Sequence, residues 1–194
     1  MVGKLPNWNL RDFYESYEDK KIYDDLILYK EFVNKFSQKY KGRLLSFYQN
    51  FDDVIKEFEK GSEVSVKLEC YAFLLYATNM NDDKIVQFYQ KINEEITEIT
   101  GDLIFFTNSI NSLNDKDFDK LVSNSDKFKN WLINIRRFSV HQLDEKSERI
   151  LLDKNITANS SWVRFFEENI NQLKFLIDDK EVNSSEALNL LSDK

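Results

Sequence analysis

Apolar residues recur at Ile22, Leu26, Tyr29, Val33, Phe36 and Tyr40, in steps of four and three that keep one face of a helix toward a single partner. Gly42 follows as the stop. Leu44, Leu45, Tyr48, Phe51, Ile55 and Phe58 repeat the pattern, and Gly61 stands where a left-handed helix C-cap is expected. The stretch from Val64 to Ala77 is apolar on nearly all sides, which predicts a separate helix packed on all sides in the middle of a bundle. After a turn at residues 79–83, with Asn81 as the expected N-cap, the pattern Ile85, Tyr89, Ile92, Ile96, Ile99, Leu103, Phe106, Ile110, Leu113 runs without a break. A helix from Asp82 to Leu113 would be about 48 Å long. Ile92, Ile96, Ile99, Leu103 and Phe106 are its expected buried stripe, and Gly101 inside it suits a close helix crossing.

Shorter helices are predicted over Asp115 to Val122, over Asp126 to Arg137 with Phe128, Trp131, Leu132 and Ile135 inward, and over Asp144 to Asp153 with Ile150 and Leu151 inward. A small-residue turn then leads to a helix over Ser160 to Phe175. Asp178 and Asp179 read as the turn of a short hairpin near residues 174–182, and Asn183 and Ser184 as caps of a last helix over Ser185 to Leu191. The expected fold is all-α: a multi-helix bundle with long antiparallel helices and that one hairpin. With no internal repeat, low-complexity tract or linker, residues 1–194 are expected to form a single domain.

Composition narrows the functional classes. Four Gly and one Pro in 194 residues leave helices uninterrupted. A net charge of -7 argues against nucleic acid as a general partner, since phosphate binding needs a basic surface. No stretch approaches a membrane span or a signal peptide, and the lone Cys70 favours a reducing compartment, so the expected location is cytoplasmic.

Little chemistry is on offer. One His and one Cys cannot build a zinc site of the usual kind. Cys70, in the most apolar helix, reads as a buried small hydrophobe, and His141 as a hydrogen-bonding partner for a helix end or carboxylate. Adjacent acids such as Asp52-Asp53 and Glu167-Glu168 read as solvated surface. No glycine cluster cradles phosphate, and no Gly-x-Ser-x-Gly turn presents a nucleophile. Arg136 and Arg137, with Lys127, Lys129 and Trp131, form the one basic and aromatic cluster. It suits either a plain exposed pair at a helix C-terminus or an edge that grips a carboxylate or an acidic helix of a neighbouring domain.

The order of motifs adds a resemblance. The opening WNLRDFY, with Trp8 and Asp12, resembles the start of oligoendopeptidase F, in the thimet-oligopeptidase-like zinc metallopeptidase family. KYKGRL, LECYAFLLYATNMNDDK and DLIFFTNSINSL follow in that family's order. The stretch from Arg136 to Glu168 is similar to its Arg-x-x-x-x-His-x-Leu-x-x-x-x-Glu-x-Leu-Leu segment and the Trp-x-x-Leu/Phe-Phe that succeeds it, through Arg136, His141, Leu143, Glu148, Leu151, Trp162 and Phe166. The zinc-binding His-Glu-x-x-His helix has no counterpart here.

The resemblance implies the noncatalytic N-terminal helical domain of a larger cytoplasmic zinc oligoendopeptidase, without its catalytic part. Such a domain packs on the catalytic domain of the same polypeptide and walls the channel through which oligopeptide substrates pass. Zinc would sit in the catalytic domain of the parent, with no catalytic or metal-binding residue in this segment. Trp8, Asp12, His141, Leu143, Glu148, Trp162 and Phe166 are then expected to be structural, Trp162 buried where the late helices join the bundle. Arg136 and Arg137 are the expected interdomain or channel edge. A stand-alone helical interaction module is the alternative.

Overall fold

The computed structural model of the chain describes residues 8–192. It is helical almost throughout, as the periodicity predicts. Helix α1 (Lys20–Tyr40) starts on Asp19, whose side chain accepts from the Lys21 N–H at 3.0 Å, and buries Ile22, Leu26, Tyr29, Val33, Phe36 and Tyr40, all six of the predicted stripe. A 3-10 turn over Leu44–Asn50 leads into α2 (Phe51–Thr78).

Helix α2 departs from the expected pair of helices by running straight through Gly61. The residue is needed for space: a Cβ there would lie 2.1 Å from the Phe32 ring of α1. Ala favours a helix over Gly by about 1 kcal/mol, yet overpacking costs about 1–3 kcal/mol. Gly61→Ala is therefore expected to lower the melting temperature, and a rise would show that Phe32 moves aside freely. Nor is α2 buried all round. Leu68, Tyr71, Ala72 and Tyr76 face the core, whereas Val66, Cys70 and Phe73 are exposed, because α1 and α3, which make most of its contacts, lie against the other side of the helix. Cys70 is thus not the buried hydrophobe expected.

Asp82 caps α3 (Asp83–Thr100), one residue beyond the expected Asn81. The helical path continues through a 3-10 turn at Gly101–Leu103 into α4 (Ile104–Asn111). Ile92, Ile96, Leu103 and Phe106 are buried as predicted, with Ile99 half-buried. Gly101 marks a close approach, since a Cβ there would meet the Arg149 guanidinium at 2.2 Å. Phe106 lies at the centre of the core, its ring against Phe36, Phe51, Phe58, Phe105 and Trp131.

Helices α5 (Asp115–Ser123) and α6 (Lys129–Arg137) close this core with Phe118, Leu121 and Leu132. The turn between them is held by Asp52 from the first turn of α2, which accepts from the Ser125 hydroxyl and, at 3.1 Å each, from the Asp126 and Lys127 N–H groups. Asp52 is therefore a tertiary clamp, not the solvated acid its paired sequence suggests. A second clamp joins the N-terminal segment to α1 and α2: Tyr14 donates to Asp25 at 2.7 Å and Lys67 donates to the same oxygen at 2.9 Å.

Both acids carry a pH signature. Burial raises the Asp25 carboxyl, but the bonds from Tyr14 and Lys67 outweigh it and hold the group below its ordinary value. Burial likewise raises Asp52, and the Ser125, Lys127 and Asp126 bonds bring it lower. A depressed folded-state value stabilises fully above the unfolded carboxylate value of about 3.9 and is lost as pH falls through the folded value. Asp25→Asn and Asp52→Asn should each make the urea midpoint less dependent on pH below about 4. Unchanged acid limbs in both variants would remove the two clamps from the account.

The chain ends in α7 (Glu145–Asn155), a π-helical turn over Ile156–Ser160, α8 (Ser161–Gln172), the strands β1 (Phe175–Ile177) and β2 (Lys180–Val182), and α9 (Ser184–Ser192). The expected break between α7 and α8 is instead a widened helical turn. The hairpin is antiparallel, with Asp178 and Asp179 both at positive φ (51° and 60°) as a tight primed turn requires. Asn183 and Glu186 cap α9 reciprocally, the Asn183 side chain accepting from the Glu186 N–H and the Glu186 carboxylate from the Asn183 N–H. No helix among the described residues is long and apolar enough to cross a membrane.

Candidate functional site

After Leu132 no described residue is buried. The cause is the orientation of α7 and α8, which turn their polar faces toward the bundle. On α7, Arg149 donates to Asp102 and to the Glu98 carbonyl, each at 3.0 Å, and Glu145 pairs with Lys41. On α8, Arg164 donates to Gln90 at 3.0 Å, Tyr76 to Glu167 at 3.5 Å, and Asn171 to Asn81 at 3.1 Å. Burial, together with the Glu167 and Glu168 carboxylates, pushes the Tyr76 hydroxyl up to about 12.

The opposite faces are apolar and uncovered. Trp162 is 71% exposed and Phe166 64%, with Phe165 and Ile170 beside them on α8 and Ile150 and Leu151 on α7. Phe138, Val140 and Leu143 precede this face and Leu176, Leu188 and Leu191 follow it, all exposed. Single exposed hydrophobes are ordinary, but exposed aromatic and aliphatic side chains concentrated on one side of a helix, as on α8, suit an interaction surface. An amphipathic helix that binds its own domain through its polar side has its apolar side free for something else.

The predicted site residues divide differently from expectation. Trp162 does not join the late helices to the bundle; its ring touches Phe165 of its own helix, because the residues that make that junction are the polar ones at the positions between. Ile150 and Leu151, expected inward, face outward for the same reason. His141 is exposed at the end of a 3-10 turn, and its imidazole bonds to no described residue. Leu143 is exposed as well, with its N–H donating to Glu148 at 2.9 Å, so Glu148 supports the start of α7. Trp8 and Asp12 are exposed near the N-terminus, remote in sequence from the α7–α8 face.

Arg136 and Arg137, expected as an exposed pair, separate. Arg136 donates to the Asn111 carbonyl at the end of α4 and to Asp115 at the start of α5 at 2.9 Å, and lies 4.9 Å over the Phe118 ring. It fastens three helices. Arg137 reaches only Asn134 of its own helix, at 3.3 Å, and remains exposed. Their adjacency in sequence concealed this, since neighbours on a helix point about 100° apart.

No group of three or more His, Cys, Asp or Glu side chains among the described residues could hold a metal ion. The feature the late helices present is an exposed apolar face backed by polar side chains. Its inward polar positions Arg164, Glu167 and Asn171 were missed by the sequence reading, although the Arg164–Glu168 pair at helical spacing was a signal that this side is organised by charge.

Residues 109–175 match the family model for the N-terminal domain described as Oligopeptidase F. The match bears out, over that segment, the resemblance carried by the Arg136 to Glu168 motif. No curated protein and no solved structure matches the chain.

Proposed function

We propose that this chain, whose residues 109–175 match the oligopeptidase F family model, is the noncatalytic helical domain of a cytoplasmic zinc-dependent oligoendopeptidase. One observation carries the reading. The matched segment holds most of the exposed apolar face, including Phe138, Ile150, Trp162, Phe165 and Phe166. An apolar face that its own domain does not cover is suited to be buried on the catalytic domain of the same polypeptide. Packed there, α7 and α8 would form part of a wall that admits oligopeptides and excludes folded proteins. Zinc belongs to that catalytic domain, where it would activate the water that attacks the peptide bond.

The gene beyond the Lys194 codon supplies the first test. A His-Glu-x-x-His motif in the following few hundred codons, with cleavage of a quenched fluorescent peptide by the longer product, is the expected result. A stop codon at that point, with no zinc peptidase subunit bound by the purified chain, would instead favour a stand-alone helical interaction module using the same apolar face.

A further inference from the structure

Helix α7, the π-helical turn and α8 follow one another without a break, so residues 145–172 form one rod, about 42 Å long at 1.5 Å per residue. Among the described residues, no hydrophobic side chain beyond Ile135 belongs to the core or packs against it. The rod is held to the bundle by a polar seam. Near its start Glu145 pairs with Lys41, just past α1, and Arg149 pairs with Asp102 at 3.0 Å. Towards its end Arg164 reaches Gln90 of α3 at 3.0 Å, and Asn171 reaches Asn81 of the α2–α3 turn at 3.1 Å. The acids of the two ion pairs stay open to water, Glu145 at 44% and Asp102 at 61% side-chain exposure. Exposed pairs of this kind contribute little, and salt screens them.

The seam is also hollow. A cleft of about 380 Å³ separates α3 from the α7–α8 junction, and Leu152 and Ile156, half-buried on the rod, line it. A second, of about 630 Å³, opens between Met80 and Asn81 on the bundle and Phe166, Ile170 and Asn171 on α8. Side chains facing such gaps forfeit the close contacts that bind packed helices together.

At the rod's start the backbone is extended at Gln142 and Asp144, between the 3-10 turn at Ser139–His141 and α7. Two hydrogen bonds of 3.4 Å tether this link to α4, from the Gln142 side chain to the Asn108 carbonyl and from the Asn108 side chain to the Leu143 carbonyl. Helix α7 begins on its own cap, the Asp144 carboxylate accepting from the Lys146 and Ser147 N–H groups at 3.1 Å each. The rod therefore keeps its helical start without help from the bundle.

We infer that α7, α8 and the hairpin and α9 that follow swing from the bundle as one arm about Gln142–Asp144, latched by the Lys41–Glu145 and Arg149–Asp102 pairs and released by ionic strength. Opening breaks the seam but exposes no core residue, so it belongs to the low end of the stability range, below global unfolding. A partner that grips the outer face moves the arm without unfolding α1 to α6. The swing belongs to this chain alone and is independent of whatever docks there, so it and the domain-packing reading can fail separately.

The test is a pair of spin labels on the full chain, one on Cys70, its one cysteine and exposed on α2, the other on Asn169→Cys, exposed near the end of the rod. Pulsed electron resonance then reads their separation as salt rises from about 0.01 M to about 1 M, which shortens the screening length from about 30 Å to about 3 Å. A single distance is expected at low salt. At high salt a second, longer one should grow in, the open-to-closed ratio rising about fivefold with the helical circular dichroism signal unchanged. Arg149→Gln with Arg164→Gln should bring the longer distance at low salt. Lys35→Gln, which removes a pair with Glu31 inside α1, should not. The salt response of the unaltered latch decides the matter without the Arg variant. One distance at every salt concentration would overturn the inference, and so would a helical signal that falls in step with the longer distance, since the arm would then unfold instead of swinging.

Discussion

Phe106→Ala should destabilise the chain by about 3–5 kcal/mol, against a typical domain stability of about 5–15 kcal/mol. The ring is 0% exposed and lies 5.2 Å from Phe36 of α1, 4.8 Å from Phe58 of α2 and 6.3 Å from Trp131 of α6, centroid to centroid. Its removal leaves a cavity walled by rigid rings on three helices, and rigid rings close such a space poorly. Urea denaturation followed by circular dichroism measures the change. A loss of under about 1 kcal/mol would mean that the aromatic cluster repacks as a fluid and does not organise the bundle.

Trp162→Ala with Phe166→Ala is expected to do the reverse. In the isolated chain these rings are exposed, and their truncation should leave unfolding within about 0.5 kcal/mol of the parent. Against the proposed catalytic domain they are the largest groups on the docking face. Truncating a buried aromatic anchor at an interface typically costs 2 kcal/mol or more, so association should weaken by about thirtyfold or beyond. Peptide turnover by the longer polypeptide, or affinity between separately expressed parts, reads that loss. A melting temperature several degrees lower in the isolated chain would instead place both rings in this domain's own core, and unaltered turnover would separate them from any interface.

These two variants mark how far the chain is legible without coordinates. Phe36, Ile92, Ile96 and Phe106 were identified as buried from spacing alone, because each helix up to Leu132 buries its apolar stripe in one common core. Trp162, Ile150 and Leu151 followed the same rule and are exposed, because periodicity reports which residues share a face and not what that face meets. Gly61 reads as a terminus for a related reason. A glycine ends a helix or admits a neighbouring ring, and the ring in question, Phe32, lies on another helix.

The all-α class, the α1 and α3–α4 stripes, the hairpin at Asp178–Asp179, the caps of α9 and the family motif between Arg136 and Glu168 are all legible in the order of residues. These depend on local geometry: turn angles, cap hydrogen bonds and a period of about 3.6 residues. Which side of α7 and α8 meets the bundle depends instead on contacts between distant helices. That orientation is set by Arg149, Arg164 and Asn171 finding Asp102, Gln90 and Asn81, residues 47, 74 and 90 positions away. Polar contacts over such separations leave no period in the sequence, so the exposed apolar face emerges only when the helices are placed side by side.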